Sequence, residues 1–118
     1  MALVVRAFPV LPGKEEDVRR LSHSLATERA GGIARFFAAF GVRHESWHLQ
    51  ETPHGPWVIV VSDIDEPDAR GQQYSAALGE FEAWFKGRVL ELSGIDPTVQ
   101  PLGPPTETVF SWPAPDVA

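Results

Sequence analysis

One run of residues restricts the fold of this chain more than any other, namely Trp57-Val58-Ile59-Val60-Val61. Aromatic and β-branched residues in an unbroken run are typical of a β-strand. Successive side chains of a strand point to opposite faces of the sheet, so Trp57, Ile59 and Val61 share one face while Val58 and Val60 share the other. Because both faces are apolar, the fold must cover this strand on both sides.

A dense turn signal, Thr52-Pro53-His54-Gly55-Pro56, lies directly before that strand. Proline and glycine so close together predict a reversal of the chain. The preceding segment, residues 42–51, is then expected to form a strand that pairs antiparallel with residues 57–63. The sequence therefore predicts a β-hairpin in the middle of the chain.

The first strand of this hairpin contains His44-Glu45-Ser46-Trp47-His48, a match to the H-E-x-x-H motif of zinc proteases. On a helix, both histidines could reach one zinc ion, and Glu45 would act as general base toward the bound water. On a strand, the two histidines lie about 13 Å apart along the chain, which is too far for one ion. A zinc-dependent hydrolase thus requires a helix at 42–51. We expect a strand there, and therefore no metal.

Apolar periodicity, capping residues and turn residues predict the remaining elements. They are a strand at 2–8, a helix at 14–29 that ends before Gly31-Gly32, a short second helix at 33–40, a helix at 65–93 and a strand at 106–112. The helix at 65–93 is expected to kink or restart near Gly79 and to end at Gly94. This order is β-α-β-β-α-β, with helices on one face of an antiparallel sheet. We expect one ferredoxin-like α+β domain over residues 1–112 and a flexible tail over 113–118. The second face of the sheet is expected to meet a second copy in a two-fold homodimer.

The chain resembles the dimeric α+β-barrel superfamily, in which two ferredoxin-like sheets close into a shared barrel. The resemblance rests on element order over roughly residues 2–112. It is strongest to small members with Pro-Gly-Lys before the first helix and Glu-Ser-Trp on the second strand, here Pro12-Gly13-Lys14 and Glu45-Ser46-Trp47. The superfamily includes cofactor-independent monooxygenases, haem-degrading enzymes, small isomerases and dehydratases, and members without known activity. Fold alone therefore does not select a function.

The candidate site residues concentrate on the second strand, and either of its faces could point into a pocket. One face carries His44, Ser46, His48 and Gln50, and the other carries Arg43, Glu45, Trp47 and Leu49. The catalytic candidates are His44, Glu45 and His48, and the ligand-binding candidates are Arg6, Ser46, Trp47 and Trp57. A histidine can serve as general base near neutral pH. Arg6 could hold a substrate carboxylate or pair with Glu45 or Glu107. The alternative is that the histidines are inert at the rim or in the dimer seam.

Composition limits the partners. The formal net charge of −6 offers no basic face for nucleic acid, and the absence of cysteine excludes disulfides and thiol catalysis. No run approaches the ~20 apolar residues of a membrane span, so a cytoplasmic protein is expected. The first hypothesis is a homodimer that binds a small organic molecule, resembling a monooxygenase or isomerase that needs no cofactor. The second is a dimeric domain without catalysis, and the third is the zinc hydrolase.

Overall fold

The hairpin forms the centre of the sheet. The computed structural model describes residues 3–65, 79–97, 103–104 and 106–113. The strands are β1 (Leu3–Pro9), β2 (Val42–Thr52) and β3 (Gly55–Ile64), arranged in the order β1-β3-β2 with antiparallel pairing throughout. The predicted hairpin is therefore confirmed. Gly55 adopts a φ of 109°, a conformation that residues with a side chain rarely reach, and this glycine lets β3 begin directly after the turn.

Among the described residues, three helices accompany the sheet: α1 (Glu15–Ala26), α2 (Ala30–Ala39) and α3 (Glu80–Ser93). Helix α3 begins directly after Gly79, and the predicted glycine at its end is confirmed, since Gly94 has a left-handed φ of 74°. The predicted helix over residues 66–78, which includes Tyr74, lies outside the described residues. Among the helices that the structure describes, none is long and apolar enough to cross a membrane. The cytoplasmic location remains a prediction.

The break between the first two helices was predicted at the wrong residues. The chain leaves the helix at Thr27–Arg29, and Gly31 and Gly32 both lie in the first turn of α2. Gly32 faces the ring of Phe81 on α3, and a Cβ atom at this position would lie 2.6 Å from a ring carbon. This glycine therefore permits close packing of two helices rather than ending one.

The helices cover one face of the sheet and enclose a core rich in aromatic rings. Val58 at the centre of β3 is fully buried, and Val60 packs against the same core, as the alternation of this strand predicted. The buried apolar residues of the core are Phe8, Val10, Val18, Leu21, Phe36, Val58, Phe85, Val89 and Leu92. The opposite face carries Trp57, Ile59 and Val61, which are half-buried and belong to no part of this core. We name this second surface the open face.

The coarse α+β architecture agrees with the sequence, but the described residues form three strands and do not confirm the full four-stranded layout. Strands β1 and β2 run parallel with β3 between them, which is a split β-α-β arrangement. The predicted strand over residues 106–112 is wrong, because this segment is not part of the sheet. It contacts the outer edge of β1 at Thr106, whose backbone N–H donates to the carbonyl of Val5 at 3.0 Å. The predicted tail beyond residue 113 lies outside the described residues.

Candidate functional site

Strand β2 divides the predicted site residues between two separate surfaces. Glu45 and Trp47 point toward the helices, where Trp47 contacts the rings of Phe8 and Phe85. Four other candidates lie on the open face: His44, Ser46, His48 and Trp57. The sequence does not indicate which face of β2 points to the core. The packing of Trp47 against Phe8 and Phe85 shows that it is the face that also carries Glu45. The predicted residues therefore do not form a single site.

The helix that a zinc hydrolase requires is absent, since the whole H-E-x-x-H motif lies in β2. His44 and His48 share a face, but a strand of that length separates them by about 13 Å. Glu45 points to the opposite side and cannot act on water between them. Over residues 3–65, 79–97 and the described part of 103–113, no three histidine, aspartate or glutamate side chains are grouped to hold a metal ion.

Glu45 is held by two hydrogen-bond donors. The indole N–H of Trp47 donates to Glu45 Oε2 at 2.8 Å, and the hydroxyl of Ser62 donates to Oε1 at 2.9 Å. Glu45 and Ser62 are direct partners across the β2–β3 ladder, so backbone pairing fixes their separation. Burial raises the pKa of the Glu45 carboxyl, because the charged form loses its hydration. The two donors oppose this shift without cancelling it.

Arg6 lies on the same face of the sheet as Glu45. It pairs with Val60 across the β1–β3 ladder, and Val60 in turn pairs with Trp47. The positive charge of Arg6 acts to lower the pKa of Glu45, although burial outweighs it. The guanidinium also donates to the carbonyl oxygen of Gly103 at 3.2 Å. Arg6, Glu45 and Trp47 are thus the three predicted candidates that the fold brings to one face.

Trp47 donates a hydrogen bond to the Glu45 carboxyl and also lines an open groove between α1 and the sheet. The groove has a volume of about 370 Å³, within the size range of small-molecule sites. Helix α1 and the sheet contribute its lining: Val18, Arg19, Ser22, Trp47, Leu49, Glu51 and Val58. The ring of Trp47 also stacks on Phe85, with centroids 6.0 Å apart and planes inclined by 24°. An apolar wall with a few polar groups suits a small organic ligand better than an ion.

The candidates on the open face form a polar row along the outer strand. Ser46 Oγ lies 2.9 Å from His48 Nε2, a hydrogen bond whose direction depends on the tautomer of the histidine. His44 and His48 are both exposed in the single chain. This row agrees with the alternative in which the histidines lie at a surface or a dimer seam.

Three buried polar residues of the described chain escaped the sequence analysis: Ser62, Lys86 and Ser93, whose hydroxyl donates to the carbonyl of Val89 one turn earlier in α3. Ser62 is 3% exposed. The one sequence feature that could have indicated its burial is its position in line with Val58 and Val60 on the same face of β3. Lys86 on α3 is 5% exposed, and burial lowers the pKa of its ammonium while the charges of Glu82 and Asp96 oppose that shift. The helical pattern gives no signal for Lys86, because lysine is common on helix surfaces.

The raised pKa of Glu45 predicts a specific pH dependence of stability. Between the ordinary glutamate pKa of about 4.3 and the raised folded value, the folded state binds more protons than the unfolded state. The free energy of unfolding should therefore fall as pH rises through this window. Urea unfolding at a series of pH values measures this slope. Glu45→Gln, which cannot ionise, should flatten it, and an equal slope in both proteins would contradict the assignment.

Comparison of the chain with models of protein families, with curated proteins and with solved structures finds no significant match. The fold and the Glu45 site define an α+β protein with a three-stranded antiparallel sheet and a half-buried carboxyl whose hydrogen-bond partner, Trp47, lines a groove. The resemblance to the dimeric α+β-barrel superfamily rests on element order and two short motifs.

Proposed function

We propose that this protein binds a small organic carbonyl compound in the groove beside Trp47 and catalyses proton transfer on it through Glu45, as an isomerase does. The observation that carries the proposal is the Glu45 carboxyl, which lies half-buried on the helix side of the sheet. It is held between the indole of Trp47 and the hydroxyl of Ser62, and Trp47 also lines the groove.

A buried glutamate suits this chemistry for a physical reason. A general base works best when its pKa lies near the working pH, and burial raises the pKa of Glu45 in that direction. In a keto–enol isomerisation, the base removes a proton from one atom of the substrate and the acid returns a proton to another. One carboxyl group can perform both steps. The reaction needs neither an oxidant nor an electron acceptor.

The groove and its surroundings favour an aromatic or apolar acid as the ligand. Trp47, Leu49 and Val58 offer an apolar wall, while Arg19, which is also ion-paired with Glu16, places a positive charge at the rim and Glu51 a negative one. Arg6 supplies a second positive charge on the Glu45 side of the sheet. A small molecule with a ring, a carbonyl and a carboxylate matches these features.

The same proposal includes a homodimer in which the open faces of two copies meet, completing an α+β barrel. Its support is the apolar surface formed by Val5, Ala7, Ile59 and Val61, which the described helices leave uncovered. Apolar surface of this kind is typical of interfaces between copies. Dimerisation would leave the groove accessible, because the groove lies on the helix side.

Phenylpyruvate contains the three chemical groups named above and is the probe we would use. In NMR spectra of ¹⁵N-labelled protein, the four tryptophans supply four indole N–H signals. We expect phenylpyruvate to shift the signal of Trp47 in a saturable manner and to leave that of Trp112 unchanged. Trp47→Phe assigns the signal. Saturable binding that leaves the Trp47 signal unmoved would contradict the groove as the site.

A second function, a dimeric domain without catalysis, is favoured by one observation. Both oxygens of Glu45 already accept a hydrogen bond from the protein, as expected of a buried group that stabilises the fold. Under this alternative Glu45 links β2 to β3 and never contacts a ligand. It predicts that phenylpyruvate leaves all four indole signals in place.

A further inference from the structure

The largest exposed apolar side chains of the described chain are concentrated in one short segment. Val109 is 85% exposed, Phe110 81% and Trp112 83%. The other exposed large apolar residues lie elsewhere and are less exposed, at 64% or below. Aromatic side chains are rarely left in water together without a partner surface. We name residues 106–113 the arm.

The fold places the start of the arm at the outer edge of β1. Thr106 is anchored to β1 twice, since its backbone N–H and its hydroxyl both donate to the carbonyl of Val5, at 3.0 and 2.8 Å. Gly103 lies against the same strand, where a Cβ atom would be 2.5 Å from the carbonyl oxygen of Ala7. The arm therefore starts at the edge of the sheet and continues into solvent, with its apolar residues beyond the last anchor.

We propose that the arm of each copy packs on the open face of a second copy, so that two chains exchange arms in the homodimer. This inference rests on the dimer proposed above, in which the two open faces meet, and adds the partner's arm as a second element that lies on the open face beside the partner's sheet. The occupant is a second copy because each chain carries both surfaces, and a two-fold axis satisfies both at once.

The areas involved support this exchange. A stable interface buries about 800 Å² on each partner. A buried aromatic side chain contributes roughly 150–250 Å², so Phe110 and Trp112 together would supply nearly half of what is needed. The strand pattern of the arm, in which Thr106, Thr108 and Phe110 alternate with Glu107 and Val109, also permits it to lie extended along a sheet.

Sedimentation of the intact chain tests the exchange. We expect a dimer, and we expect Phe110→Asp to raise its dissociation constant at least tenfold. The matched control is Leu90→Asp on α3, where the residue is 42% exposed and lies away from the open face. It should leave the dissociation constant within twofold. Circular dichroism confirms that both variants fold, which we expect because neither residue is part of the core.

Cross-linking locates the contact. The chain contains no cysteine, so each single-cysteine variant carries one thiol. A tagged Phe110→Cys chain mixed with an untagged Ile59→Cys chain should give a mixed covalent dimer with a short bismaleimide. Leu90→Cys in place of Phe110→Cys should give none.

The outcomes separate this inference from the proposed dimer. A wild-type chain that stays monomeric at all concentrations would overturn both. A dimer that Ile59→Asp dissociates but Phe110→Asp does not would overturn the arm exchange and leave the dimer standing. A dimer weakened by Phe110→Asp without the mixed cross-link would overturn the placement of the arm on the open face.

Discussion

Replacing Phe36 with alanine is expected to lower the free energy of unfolding by about 3–5 kcal/mol. Phe36 is 7% exposed and is the residue of α2 that reaches furthest into the core. Its ring centroid lies 4.8–5.8 Å from those of four others, on Phe37, Phe40, Phe81 and Phe85. The substitution would remove the ring that links α2 to α3 and leave a cavity. Because small domains are stable by only about 5–15 kcal/mol, this loss is large.

Urea unfolding followed by circular dichroism measures this change. Leu90→Ala is the control, since Leu90 is 42% exposed on α3 and its truncation should cost less than about 1 kcal/mol. Both variants are compared with the wild type at one protein concentration, so that dimerisation does not enter the difference. A cost for Phe36→Ala no greater than that of the control would show that the aromatic cluster does not hold the helices together.

Glu45→Gln is expected to slow the tautomerisation of phenylpyruvate by about 10²–10⁴-fold. The amide is close in size to the carboxyl and can still accept the indole N–H of Trp47, but it cannot accept a proton from carbon. The loss should therefore appear in kcat, with KM little changed. The ultraviolet absorbance of the enol follows the reaction directly.

The matched control for this substitution is His48→Gln, which also introduces an amide on β2 but on the opposite face. It should change kcat by less than twofold. Equal rates for Glu45→Gln and wild type would exclude Glu45 as the base. A large loss of kcat in His48→Gln, with Glu45→Gln still active, would indicate that the reaction takes place on the open face.

Local chemistry was sufficient to predict the hairpin and several helix ends. The alternation of Val58 and Val60 with their neighbours, the turn at residues 52–56 and the glycine at 94 each depend on a few adjacent residues. The segment 106–112 shows the limit of such signals. Its sequence is typical of a strand, but a strand also needs a neighbouring strand to pair with. The segment hydrogen-bonds to β1 at Thr106, and it does not continue along β1 as a strand.

The candidate site was predicted only in part, for a related reason. Alternation along the strand predicted that Glu45 and Trp47 share a face that His44 does not, but nothing local indicates that this face points to the core or that Arg6 lies on it. That information lies in the pairing of β2 with β3, which places Glu45 opposite Ser62. Ser62 was missed because one serine in a strand carries no distinctive pattern.

The irregularity at the start of β2 affects how this chain can change in evolution. Pairing shifts between Val42 and His44, so Arg43 is an extra residue whose backbone has no paired residue on β3. A further residue inserted there would lengthen the bulge and leave His44 to Thr52 in place, because the turn fixes their register. One residue inserted between Trp47 and the turn would instead shift the pairing of the residues between the bulge and the insertion by one position. Each of their side chains would then point to the opposite face. Glu45 would then point to the open face and His44 to the core. Length variation among descendants of this chain should therefore be tolerated at Arg43 and eliminated by selection a few residues later.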